Sequence, residues 1–226
     1  SYGPVIALSN LSSNLLQTLA SGERVLSLLA EEPELKDVES AVDLKEVSRI
    51  DVENVSFAYG EEQILSDVSL SVKKGEILGI HGRSGSGKST LLKLLMRFYD
   101  PKSGSIKING ETLPNINTRS LRDNMAYITQ QTYIFNETIE ENIRLARRDA
   151  TLEEIMEAAK KASIHDFILS LPEGYQTKMT ELGGNLSDGE KQRIGIARAF
   201  LHNAPIILLD EQIGRASCRE RVFRAV

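Results

Sequence analysis

The sequence predicts an α/β fold built around a glycine-rich loop. Three observations carry this. Strand-like and helix-like segments alternate along most of the 226 residues. "GRSGSGKST" (Gly82 to Thr90) fits G-x-x-x-x-G-K-[ST] and lies between an apolar run and a helical pattern. "PIILLD" is an unbroken apolar run that ends at two carboxylates, Asp210 and Glu211, as a strand of a buried parallel sheet would.

The chain opens with a long helical pattern. Between Pro4 and Pro33, Ile6, Leu8, Leu11, Leu15, Leu19, Val25 and Leu28 recur near every third or fourth position. Pro4 suits a first helical turn and Pro33 a stop. At 1.5 Å per residue this helix is roughly 40 Å long. Periodicity alone fits an amphipathic surface helix and the cytoplasmic end of a membrane helix equally well. Residues 34–48 are acidic and poor in large apolar side chains, which reads as a linker.

From Arg49 the period changes to two. "RIDVENVSFAY" and "ILSDVSLSV" read as antiparallel strands. "GEILGIHG" reads as a buried strand leading into the phosphate loop, and 87–99 as the helix after it. "SGSIKING" and "NMAYIT" read as further strands, and 139–147, 152–161 and 188–200 as helices. No internal repeat is visible.

Composition narrows the function classes. The net charge of −5 and the absence of Trp argue against nucleic acid as a partner, since a basic surplus and stacking aromatics are its usual footprint. No run of 18 apolar residues is present. The single cysteine, Cys218, cannot form an intrachain disulfide.

The phosphate loop has a direct physical rationale. Gly82, Gly85 and Gly87, with Ser84 and Ser86, let backbone N–H groups close around phosphate oxygens without Cβ clashes. The helix that starts there adds positive partial charge. Lys88 is placed to reach the β- and γ-phosphates, and the Ser89 hydroxyl to ligate Mg²⁺, with Thr90 beside it. Asp210 would hold the same Mg²⁺, and Glu211 would act as the general base for an attacking water. His81, His165 and His202 have no nucleophile or metal pattern around them and read as structural. A second cradle lies at "LSDGEKQRIGIARAF", where a Ser and a Gly open a helix. One nucleotide does not need two γ-phosphate cradles, but a head-to-tail dimer does.

At these residues the chain resembles the ATP-binding cassette proteins. "LSDGE" (Leu186, Ser187, Asp188, Gly189, Glu190) stands where the family shows LSGGQ. Gln130 stands at the Q-loop position, where the resemblance implies that it senses Mg²⁺ and the attacking water. Tyr59, otherwise a strand-end surface aromatic, matches the residue that stacks on adenine. "LPEGYQTKMTELGGNLSDGEKQR" and "IFNETIEENI" look like exporter-type cassettes, with Glu181 in the segment that faces the coupling helices of a membrane domain. The likeness runs from Ile50 to Glu211. It implies a P-loop cassette with an antiparallel β subdomain, a parallel core sheet and a helical subdomain. It implies ATP and Mg²⁺ as cofactors, with Lys88, Gln130 and Glu211 catalytic. It also implies a second cassette as partner, in a homo- or heterodimer, at the cytoplasmic face of a cell membrane. Residues 1–33 then become the cytoplasmic end of the last transmembrane helix, 34–48 the linker and 49–211 the cassette. The rival readings are a soluble cassette ATPase acting on DNA or ribosomes, and an inactive nucleotide-binding fragment. Asp188 departs from the family glycine. Either its carboxylate turns outward, or it repels a partner's γ-phosphate and weakens one site of an asymmetric dimer.

Residues 212–226 fit none of this. In the family, "LLDE" continues into PTSxLD or ATSxLD and later a switch histidine. Here the string ATC GGA AGA GCG TCG TGT AGG GAA AGA GTG translates to Ile213 to Val222 residue for residue. It looks like a widely used sequencing adapter. The expectation is a truncated gene record with adapter read-through from residue 212, and poor hydrolysis by the chain as written. This stretch carries four arginines and one glutamate, a net +3, which leaves −8 for residues 1–211.

Overall fold

The computed structural model describes residues 2–32, 35–129 and 131–210. Helix α1 (Gly3–Leu29) has proline in its first turn and closes on Ala30, whose N–H donates to the Leu26 carbonyl at 2.9 Å. Leu11, Leu15, Leu16, Leu19, Val25, Leu26, Leu28 and Leu29 are all more than half exposed. Thr18 and Ser21 turn their hydroxyls back onto the carbonyls of Asn14 and Gln17 at 2.8 Å. Among the described residues no helix is long and apolar enough to cross a membrane. Residues 1–36 form one compact unit and the chain from Asp37 onward another.

The second unit is built on a four-stranded antiparallel sheet in the order β2-β1-β3-β4. It comprises β1 (Arg49–Tyr59), β2 (Glu62–Lys73), β3 (Ser103–Ile108) and β4 (Glu111–Thr112). Period-two patterning puts Ile50 and Val52 of β1 into the core and, after a one-residue shift, Val55 and Phe57, as it should when one face is covered. The ladder breaks its register around Asn54, which takes φ +49°. Opposite that bulge sits Gly104, with φ +80°, where a Cβ would fall 2.3 Å from the Glu53 carbonyl oxygen. Only glycine lets the two strands approach this closely.

Helix α2 (Lys88–Leu95) packs Leu91, Leu94 and Leu95 into the same core as the sheet. It stops at Leu95, short of the predicted Tyr99, because Arg97 takes the left-handed conformation with φ +52°. After α3 (Thr118–Asp123), capped by the Asn117 side chain, comes β5 (Met125–Ile128). Four helices then intervene: α4 (Ile139–Arg144), α5 (Leu152–Lys161), α6 (His165–Ser170) and α7 (Asp188–His202). They surround a second core of Ile139, Ile143, Ile155, Ile164, Ile168 and Ile194. Capping boxes start two of them, Thr151 with Glu154 at α5 and Ser187 with Glu190 at α7. The chain returns in β6 (Ile206–Leu209), parallel to β5 with Tyr127 opposite Leu208.

Three expectations need correction. The run 75–82 is not a strand, and Ile77, Leu78 and Ile80 are 57%, 47% and 40% exposed. An apolar run becomes a strand only beside a ladder, and no described strand pairs with it. For the same reason 205–210 is not a doubly covered central strand. Among the described strands its β6 pairs with β5 alone, and Ile207 and Leu209 stay exposed. The third concerns the linker. From Asp37 to Val47 the chain is a strap bound to the cassette. Asp37 accepts from Arg97 Nη1 at 2.6 Å and from the Thr118 N–H at 3.0 Å. Val42 bridges to Ile116, Leu44 N–H donates to Ser120 Oγ at 2.9 Å, and Val47 is buried. Composition reads this acidic stretch as a linker, but Arg97, 2% exposed, needs a carboxylate partner, and Asp37 supplies one.

Candidate functional site

The phosphate loop runs from the end of residues 75–82 into the first turn of α2. Gly85 and Gly87 both take positive φ, +80° and +86°, and Gly87 is the residue before the helix. A Cβ on Gly87 would fall 2.5 Å from Leu65 Cδ2 and 3.1 Å from the Ile64 carbonyl. The conformation and the packing of β2 against the loop therefore both demand glycine there. The loop curls over Lys88, whose ammonium donates to the carbonyls of Gly82 at 3.0 Å and Arg83 at 2.8 Å. Ser84 and Ser86 are exposed on the loop, and Thr90 is buried at its base.

Ser89 and Asp210 are 121 positions apart in the chain, yet Ser89 Oγ donates to Asp210 Oδ1 at 2.7 Å. The parallel register places Asp210 here: its N–H donates to the Ile128 carbonyl at 2.9 Å, one step beyond the Ile128–Leu209 pair. A hydroxyl and a carboxylate at the start of a helix suit a hard divalent cation. Mg²⁺ takes oxygen donors, keeps several waters, and shares phosphate oxygens with its substrate rather than occupying a protein cage. Among the described residues no cluster of three or more His, Cys, Asp or Glu offers such a cage. Gln130 and Glu211 lie outside the described residues, as does the stretch 212–226.

Two groups at this site escaped the sequence reading. Tyr127 OH donates to the other oxygen of Asp210, Oδ2, at 2.9 Å. Burial, reinforced by Asp210, pushes this phenol up to about 12, so it remains a protonated donor at neutral pH. Its only signal in the sequence is a hydroxyl-bearing ring within the apolar alternation of "MAYI". Tyr99 is the second. Together with Phe57 it meets the Tyr59 ring edge-on, at centroid distances of 5.4 and 4.9 Å. Tyr59 is 37% exposed, held upright at the end of β1 by neighbours that touch edges rather than stack.

The residues Leu186 to Glu190 sit at the start of α7. Leu186 is buried in the helical core. Ser187 N–H donates to Glu190 Oε2 at 2.7 Å, and Ser187 Oγ accepts from the Glu190 N–H at 3.4 Å. The Asp188 carboxylate is fully solvent-exposed, 3.9 Å from Lys191 Nζ. Gly189 has open space around it, leaving its backbone accessible. These bonds stay within the α7 terminus, whereas Ser89 and Asp210 meet at the start of α2, next to Lys88 in the chain.

The comparisons with known proteins fall on this geometry. The family model described as "ABC transporter" matches residues 65–214. The chain belongs to the ABC transporter family. It is 98% identical over 211 residues to the "Probable ABC transporter ATP-binding/permease protein" of Haemophilus influenzae, covering 93% of this chain and 38% of that one. It is 44% identical over 211 residues to an "ATP-dependent lipid A-core flippase" of Syntrophus aciditrophicus, covering 93% of this chain and 35% of the relative. Among solved structures, a bacterial Atm1-family ABC exporter with ATP bound matches with a TM-score of 0.81 and 41% identity, over 86% of this chain and 34% of that one. The chain thus spans little more than a third of the length of these relatives. Its antiparallel sheet, parallel strand pair and helical region are those of an ABC cassette, and the family implies ATP binding.

Proposed function

We propose that the chain is the nucleotide-binding domain of an exporter, which binds and hydrolyses ATP in a head-to-tail pair of cassettes to drive a solute across a membrane. The observation that carries this reading is the meeting of Ser89 and Asp210 at the N-terminus of α2, beside Lys88. In this reading Tyr59 stacks on adenine. The amides of 82–90 and the Lys88 ammonium hold the phosphates. Ser89 and Asp210, with Gln130, hold Mg²⁺, which neutralises charge on the β- and γ-phosphates. Gln130 orients the attacking water and Glu211 accepts its proton. The partner cassette offers Ser187 and Gly189 to the γ-phosphate from the opposite side. Asp188, exposed and turned toward Lys191, then faces solvent rather than phosphate.

Helix α1, with its row of exposed leucines, we read as the cytoplasmic end of the last transmembrane helix. The coupling helices of a membrane domain and a second cassette are the partners, at the cytoplasmic face of the membrane. Residues 212–226 we read as adapter sequence. Ile213 to Val222 are the translation of the adapter-like string, residue for residue. Independent reads across the locus that continue into GRASCRERV would refute it.

The functional test uses the full-length protein in lipid vesicles. ATP hydrolysis should require Mg²⁺ and disappear in Lys88→Ala, and Glu211→Gln should trap ATP in a stable cassette dimer. Absence of nucleotide binding by the wild type, or hydrolysis that Lys88→Ala leaves intact, would sink the reading.

A further inference from the structure

Asp210 has both carboxylate oxygens engaged. Ser89 donates to Oδ1 at 2.7 Å and Tyr127 donates to Oδ2 at 2.9 Å. The two donors differ in kind. Ser89 is itself a cation ligand in the proposed reading, so its hydrogen bond to Asp210 can give way to shared coordination. The Tyr127 hydroxyl has no such role, because it holds the oxygen on the far side from Ser89. Its ring is partly buried against the core that the antiparallel sheet shares with α2 and β6. Its backbone is locked opposite Leu208 in the parallel ladder, and the next residue, Ile128, accepts from the Asp210 N–H at 2.9 Å. One short stretch of β5 therefore fixes both the main chain and the side chain of Asp210.

Charge makes a phenol well suited to this place. A lysine or arginine there would orient the carboxylate but cancel its charge and repel a divalent cation. A neutral O–H orients it and leaves the charge in place. Without the hydroxyl, Ser89 is the one side-chain partner that Asp210 keeps among the described residues, and its carboxylate is less restrained about its terminal bond.

We propose that Tyr127 is a positioning residue for metal–nucleotide binding: its hydroxyl sets the orientation of the Asp210 carboxylate so that Oδ1 stays directed at Ser89. Gln130 follows Tyr127 by three residues in the chain.

This inference rests on the nucleotide-binding reading above, and the test separates the two. Full-length wild type, Tyr127→Phe and Tyr127→Leu are titrated with a fluorescent ATP analogue, once in EDTA and once at fixed nucleotide with rising Mg²⁺. Thermal melting without nucleotide is recorded alongside. Tyr127→Phe, which removes one oxygen and keeps the ring, should bind nucleotide like wild type in EDTA. Its half-saturating Mg²⁺ concentration should rise about tenfold, the usual effect of losing a partner that orients a metal ligand. Tyr127→Leu should show the same Mg²⁺ shift together with a lower melting temperature. A Tyr127→Phe protein with the wild-type Mg²⁺ midpoint would overturn the inference. So would an equal loss of affinity with and without Mg²⁺, which would mark Tyr127 as a packing residue only. A wild type that binds no nucleotide under either condition would overturn the nucleotide-binding reading itself, and this inference with it.

Discussion

Asn142 offers the sharpest test of how the helical region is held together. It is fully buried on α4. Its amide nitrogen donates to the carbonyls of Phe135 and Thr138 at 3.0 Å and of Glu137 at 3.3 Å. Its oxygen accepts from the Phe135 N–H at 2.9 Å and from Arg198 Nη2 at 3.0 Å. Asn142→Ala removes five hydrogen bonds, but not every partner is orphaned. Thr138 O still accepts from the backbone N–H at position 142, Glu137 O from the Met179 N–H, and Phe135 O from the Glu137 N–H. Arg198, whose guanidinium burial pulls down to about 10, keeps its bonds to the carbonyls of residue 142 and Tyr133. Two donors are left unpaired, the Phe135 N–H and Arg198 Nη2. At about 1–3 kcal/mol for each unmet buried donor, and with Phe135 only partly covered, the loss should be about 3 kcal/mol. For a protein of this size that is a fall in melting temperature of roughly 6–12 °C. Urea unfolding followed by circular dichroism would measure it, with Asn142→Asp as a control that keeps the acceptor. A loss below about 1 kcal/mol would refute the reasoning and show that water replaces the side chain without penalty.

Three further outcomes follow from the same structure. Tyr59→Ala should raise the Kd for ATP at least about fivefold, since base–aromatic stacking is worth about 1–3 kcal/mol, and Tyr59→Phe should restore most of it in the same fluorescence titration. Asp188→Gly should leave ATP turnover within about twofold of wild type, because the carboxylate is exposed and its pairing with Lys191 at 3.9 Å is a weak surface contact; a tenfold gain would mean that it faces the partner's phosphate. Tyr127 and Tyr175 both have phenols raised from about 10 to about 12, chiefly by burial. A proton held more tightly in the folded state gives stability that is complete below pH 10 and lost as pH rises toward 12. Melting temperatures should fall across that window, and less steeply in Tyr175→Phe.

The parts of this protein that were legible in its sequence are those whose chemistry is local. The phosphate loop is written in consecutive residues, and Gly85 and Gly87 adopt the left-handed backbone that their lack of a Cβ suggests. The strands of β1 and β2 show their period because one face is covered. What stayed hidden depends on partners far along the chain. Tyr127 is read as one more apolar strand residue until Asp210 arrives 83 positions later. Asn142, within the polar run "NETIEENIR", gives no hint that it is buried while its glutamate neighbours are not. The runs 75–82 and 205–210 mislead in the opposite direction, because hydrophobicity announces a strand but only a paired ladder makes one.

The strap from Asp37 to Val47 sets the working length of the connection upstream of the cassette. Eleven residues of free chain, 38–48, could stretch to span up to about 40 Å and would take up displacements until that limit was reached. Anchored at Asp37 to Arg97 and Thr118, the strap has no such slack to take up. A pull on residue 37 loads Arg97, two residues beyond the far end of the helix that begins at the phosphate loop, from its first ångström.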